Sequence, residues 1–148
     1  MLLTAACQTQ RGSMPPAEYK GLKKAPYRVK GMRFVPMGAE QALRYDEVGV
    51  ASHYEAHGAK GAIGQRLYKG QLYAAHRTLP LPCVARVTNL ANGKSCVVRV
   101  ADRGPFIAGR LIDVSSEVAH RLDFHRRGLA RVRVQVLSVG DGEYRKNS

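Results

Sequence analysis

Residues 129–137 (LARVRVQVL) alternate strictly between apolar and polar, which predicts a half-buried strand with Val132, Val134 and Val136 turned inward. Two β-rich runs, 83–89 and 95–102, flank the segment LANGK, and Asn-Gly is a strong hairpin signal. A two-residue turn at Asn92-Gly93 would set Val87 opposite Val98 and Ala85 opposite Val100. One face then carries Cys83, Ala85, Val87, Val98, Val100 and, at its edge, Asp102. Residues 49–54 (GVASHY) and 110–114 (RLIDV) predict two more strands. Ser115 or Ser116 caps a short helix that runs to about Leu122. Residues 26–37 alternate around Gly31 and predict a short strand pair outside the main fold. Pro80 and Pro82 bracket Leu81 and forbid a helix there. Many short strands and one short helix predict a mainly β fold, a small barrel.

The segments between these elements divide the chain. Residues 1–7 are apolar and small up to Cys7. They are either the end of a lipoprotein signal that starts upstream, or a chance run. Residues 8–25 read as a flexible linker, 26–48 as a lead-in, 49–139 as the barrel and 140–148 as a polar tail. Residues 55–72 read as a long loop.

Composition narrows the class. The chain has 148 residues, 45% of them hydrophobic, enough for a core. Three cysteines cannot all pair within one chain, which excludes a disulfide scaffold. In the predicted hairpin, Cys83 and Cys96 share a face but lie too far apart along the ladder to bond. The formal net charge of +13 implies an anionic partner: nucleic acid, anionic lipid or a cell-wall polymer. No zinc-finger spacing, aromatic strand pair or recognition helix accompanies it, so nucleic acid is not expected.

Four places carry candidate chemistry. His53 and His57 have the spacing of a helical metal pair, but they stand where a strand enters a loop and no third ligand is near. His76 in AAHRTLP is either structural or functional. Asp102 in ADRGPF is either a turn cap or a working carboxylate. Arg103 beside it would pair with Asp102 or bind an anion. Asp113 in LIDVSS is a second carboxylate, or a cap for the helix that follows.

Taken together, GVASHY, AAHRTLPLP, VTNLANGK, VVRVADRGPF, GRLIDVSS and RVRVQVL resemble the rare lipoprotein A family over about residues 26–138. The resemblance implies a six-stranded double-psi β-barrel with one or two short helices. It implies a peptidoglycan lytic transglycosylase that leaves 1,6-anhydro-muramic ends, on strands stripped of peptides. It places the catalytic Asp on Asp102 and its His partner on His76, and it sets Tyr54, Gln65, Arg77, Thr78, Arg103 and Asp113 around the substrate. Arg110 is expected beside Arg77 and Arg103 at the groove mouth. It favours Cys7 as a lipid-anchored residue on the periplasmic face of the outer membrane. The implied partners are glycan strands and envelope or division proteins; the chain is expected to be a monomer with no cofactor. Two departures stand out. Gln65 occupies the position of a family Glu, and SHYE (His53, Glu55) replaces SWYG. A Gln cannot ionise, so the alternative is a catalytically weak barrel that binds peptidoglycan.

Overall fold

A computed structural model describes residues 12–17, 19–142 and 144–145. Nine strands and two short helices follow one another along the described residues: β1 (Tyr27–Val29), β2 (Met32–Phe34), α1 (Ala39–Leu43), β3 (Asp46–Tyr54), β4 (Tyr73–Ala75), β5 (Cys83–Asn89), β6 (Ser95–Asp102), β7 (Arg110–Ser115), α2 (Ser116–Arg121), β8 (Ala130–Val139) and β9 (Tyr144–Arg145). Six strands run in the order β3-β7-β4-β6-β5-β8, and β8 pairs back onto β3 to close the barrel. The β3–β7 and β4–β6 pairs are parallel and the other barrel pairs are antiparallel. The fold is the expected double-psi barrel.

Alternation explains the core. Val132, Val134 and Val136 of β8 are fully buried, as are Cys83, Ala85 and Val87 of β5 and Val98 and Val100 of β6. Ser115 caps α2, its hydroxyl accepting from the Val118 N–H. The β1–β2 pair forms its own two-stranded sheet. Helix α1 is the second of the one or two short helices expected, at a place the sequence pattern did not mark; its five residues bury only Ala42.

The hairpin register differs from the expected one by two residues. Val87 faces Cys96, and Ala85 faces Val98. The loop has four residues because Asn89 closes it. Its carbonyl accepts from the Gly93 N–H at 2.8 Å and its Oδ1 from the Ala91 N–H at 3.0 Å. Gly93 takes a φ of +77°, which a residue with a Cβ rarely adopts. A shift of two keeps every side chain on its face, so the core set is unchanged. Cys83 now faces Val100, four positions from Cys96 along β6, and both thiols are free.

Three segments differ from the expected division. β3 begins at Asp46, inside the expected lead-in, because 46–51 pair with β8. The segment expected as a free linker lies along the barrel from residue 12 onward. Leu72 N–H donates to the Ser13 carbonyl at 2.9 Å, and Lys23 and Leu81 exchange backbone bonds at 2.8 and 3.1 Å. Met14 and Leu22 pack on the core. The expected tail contributes β9, which pairs with the end of β8. Cys7 lies outside the described residues.

Candidate active site

Asp102 ends β6 and stands half-buried. Register aligns it with Ala75 on β4, Ala75 with Asp113 on β7, and Asp113 with Ser52 on β3. Four strands thus carry a row Ser52, Asp113, Ala75, Asp102. At roughly 4.8 Å per strand the two carboxylates stand two strands apart, over the small side chain of Ala75. Alternation along β3 puts Ser52 and Tyr54 on this face and His53 on the other.

Each carboxylate has its own donors. Asp102 Oδ2 accepts from the Tyr54 hydroxyl at 2.9 Å, and Oδ1 accepts from the Arg103 backbone N–H at 2.9 Å. One side chain thus makes both a turn-cap contact, to the Arg103 N–H, and a long-range contact, to Tyr54. Asp113 Oδ1 accepts from the Ser52 hydroxyl at 3.2 Å. Burial pushes the Asp113 pKa up, against the Ser52 bond and the charges of His53 and Arg110, and the charge of Asp102 adds to the rise. Asp113 is not the helix cap; Ser115 fills that place.

Burial also raises Tyr54, with the charge and hydrogen bond of Asp102 adding to it. The phenol therefore remains a donor. Tyr73 is pushed up to about 12, chiefly by burial and further by Glu55, Asp102 and Asp113. Its hydroxyl accepts from the Ala56 N–H at 2.9 Å. Glu55 Oε2 is buried with no hydrogen-bond partner among the described residues. The site thus gathers negative charge from Asp102, Asp113 and Glu55 around two tyrosines whose rings lie 5.5 Å apart.

His76 meets Asp102 through the backbone. Its N–H donates to the Asp102 carbonyl at 3.1 Å. The imidazole serves elsewhere: Nδ1 accepts from the N–H groups of Thr78 and Leu79, both at 3.1 Å. Nε2 therefore carries the proton and donates to the Tyr45 hydroxyl at 2.8 Å. Burial, then the Arg77 and Arg103 charges, lower its pKa to about 3, so the ring is neutral near pH 7. Among the described residues, no side-chain hydrogen bond joins His76 to Asp102.

Arg103 is also committed to the fold. Its guanidinium donates to the carbonyls of His76 (3.2 Å), Leu79 (2.5 Å) and Lys23 (3.2 Å), and it lies 5.3 Å from the Tyr27 ring centroid. It forms no ion pair with Asp102 among the described residues. Arg77 and Thr78 are half-buried. The Arg77 carbonyl accepts from Tyr27 and that of Thr78 from the Met37 N–H. Gln65 Nε2 donates to the Pro16 carbonyl at 2.5 Å, fastening the N-terminal segment.

His53 is half-buried and donates from Nε2 to the His125 carbonyl at 3.0 Å, while His57 is exposed. Among the described residues no group of three or more His, Cys, Asp or Glu could hold a metal. No helix among them is long and apolar enough to cross a membrane. Sequence reasoning missed Ser52, Tyr45 and Tyr73. For Ser52 the signal was present, in its alternation with Tyr54.

Comparison with known proteins agrees with the fold. A family model described as lytic transglycolase matches residues 46–134. A relative from Rickettsia bellii named endolytic peptidoglycan transglycosylase RlpA is 41% identical over 136 residues, covering 87% of this chain and 59% of that protein. Relatives of the same name from Neisseria meningitidis serogroup A and Pseudomonas aeruginosa strain UCBPP-PA14 are 43% and 46% identical. They cover 77% and 81% of this chain, and 48% and 36% of their own lengths. The chain spans about half the length of the relatives it matches, or less. Two solved structures share the fold alone. A Clavibacter michiganensis expansin has a TM-score of 0.52 at 17% identity, covering 63% of this chain and 50% of that one. A Streptomyces papain inhibitor has a TM-score of 0.54 at 21% identity, covering 64% and 96%. From the barrel, its strand-end carboxylate and the match across residues 46–134, the chain belongs to the lytic transglycolase family.

Proposed function

We propose that this protein cleaves peptidoglycan glycan strands as a lytic transglycosylase, with Asp102 as the reacting carboxyl. The observation that carries the reading is Asp102 at the barrel edge, held by Tyr54 and the Arg103 amide in the stretch matched by the family. In the protonated state Asp102 donates its proton to the glycosidic oxygen as the bond to the anomeric carbon breaks. The C6 hydroxyl of the same sugar then bonds to that carbon and returns its proton to Asp102. The products are a 1,6-anhydro end and a free hydroxyl, with no water consumed. The carboxylates around Tyr54 and Tyr73 favour the positive charge that builds at the anomeric centre.

His76 acts in this scheme as a positioning residue. It fixes the Asp102 backbone through its own N–H and shapes the 77–79 turn through its ring. Gln65, Arg77, Thr78, Arg103 and Asp113 border the substrate, and Gln65 binds sugar hydroxyls where a carboxylate would ionise. The preferred strands lack stem peptides, and Cys7 carries a lipid that anchors the protein at the periplasmic face of the outer membrane.

The test is a digest of purified sacculi, with and without amidase pre-treatment, read by mass spectrometry for wild type and Asp102→Asn. Anhydro-muramic products from wild type alone support the proposal. Sedimentation with sacculi and no products from either protein would leave a binding barrel. Labelled palmitate incorporation in cells, lost in Cys7→Ala, tests the anchor.

A further inference from the structure

A cavity of about 770 Å³ opens between the α2–β8 connection and the tip of the β5–β6 hairpin. None of the residues that line it belongs to the Asp102 row. Three arginines line it (Arg126, Arg127 and Arg131), with His120, His125 and Asp123 beside them. Asp123 already faces Lys94 at 3.8 Å. Among the described residues none of the three guanidiniums has a carboxylate partner.

The histidines form a column. His120 stacks on His125 at 3.8 Å between centroids and 12° between planes, and His125 stacks on His53 at 4.6 Å and 20°. Stacked rings do not aim their nitrogens at one point, which fits the lack of a metal cluster. Desolvation, then the charges of His120 and His53, lower the His125 pKa. Behind it, His53 Nδ1 is buried without a hydrogen-bond partner. The cavity wall is held in place: Asn89 and Asn92 both donate to the Leu122 carbonyl, at 2.8 and 3.1 Å.

Arg126, Arg127 and Arg131 are exposed, and among the described residues no carboxylate offsets them, so together they raise a positive potential over the cavity that attracts an anion. A single carboxylate offsets one charge. A phosphate monoester offsets nearly two and offers three acceptor oxygens to planar guanidinium forks. We propose that this cavity is a binding site for a phosphate monoester or pyrophosphate group, separate from the Asp102 site.

The test is titration of the purified chain with pyrophosphate, read by calorimetry and by amide shifts in NMR. One saturable site per chain is expected, with the largest shifts at residues 120–131. An Arg126→Gln/Arg131→Gln variant should bind at least tenfold more weakly. An Arg28→Gln/Arg33→Gln variant, altered on the β1–β2 hairpin, should bind as wild type does. Shifts spread evenly over the basic surface, or equal losses in the two variants, would overturn the site. The shift map of the wild-type protein decides the matter even if a variant misfolds. Vesicles containing phosphatidic acid distinguish the source. Competition by them assigns a lipid headgroup, and pyrophosphate binding without vesicle binding assigns a soluble phosphate.

Discussion

Tyr54 donates its hydroxyl to Asp102 at 2.9 Å across 48 positions of sequence. The two residues end strands that are not neighbours in the sheet, since β7 and β4 lie between β3 and β6. The bond therefore depends on the curl of the barrel, and it sets which oxygen of Asp102 is held and which way the carboxyl faces. Asp102→Asn should abolish turnover with an unchanged melting curve. Tyr54→Phe should lower kcat at least about tenfold, because a hydrogen bond to a charged group contributes about 1.5–3 kcal/mol. Product release from peptide-stripped strands measures both. Full activity in Asp102→Asn would reduce the residue to a turn cap.

His76 makes the fold sensitive to acid. Its ring is neutral when folded and takes up a proton only near pH 3. In the unfolded chain it does so near pH 6.5. Between those values the unfolded state binds more protons, so stability is full above about pH 6.5 and falls as pH drops toward 3. Urea midpoints taken from pH 7 to pH 4 should decline. His76→Asn, which keeps an acceptor near the Thr78 and Leu79 amides, should flatten that slope. An unchanged slope would assign the acid sensitivity to other groups.

Gln65 donates to the Pro16 carbonyl. Gln65→Glu replaces that donor by an acceptor facing another acceptor, so the N-terminal segment should loosen. Amide exchange at Leu72, whose N–H donates to Ser13, should speed up. Turnover measured on the same variant separates two roles. A rise means that a carboxylate at this position limits the enzyme, and an unchanged rate assigns Gln65 to binding and to the strap.

Asn89 is buried and ties the hairpin loop to the end of α2. Asn89→Ala removes its bonds to the Leu122 carbonyl and the Ala91 N–H. The expected loss is about 1–3 kcal/mol in urea unfolding. The core side chains should stay on their faces.

Local pattern marked the β1–β2 pair, most of β3, and β5, β6, β7 and β8, with the inward valines, the hairpin and a serine cap before α2, because each depends on period-2 alternation or on one turn residue; it did not mark β4 or β9. The ordered motifs marked Asp102, His76 and Asp113 and implied the barrel family. Hairpin register escaped the pattern: a two-residue shift leaves the faces identical, and Asn89 chose the loop length through contact with Leu122, 33 residues away. The partners of the site residues escaped it as well. The Tyr54 bond to Asp102, the Tyr45 bond to His76 and the bonds of Ser13 and Lys23 to the barrel each join distant segments. Barrel closure brings those segments together, and no local periodicity records it. The sequence by itself marked Asp102, His76 and Asp113 as candidates and set the alternation that buries the core. Only the tertiary structure decided which atoms hold them, because those hydrogen bonds exist only once the strands close.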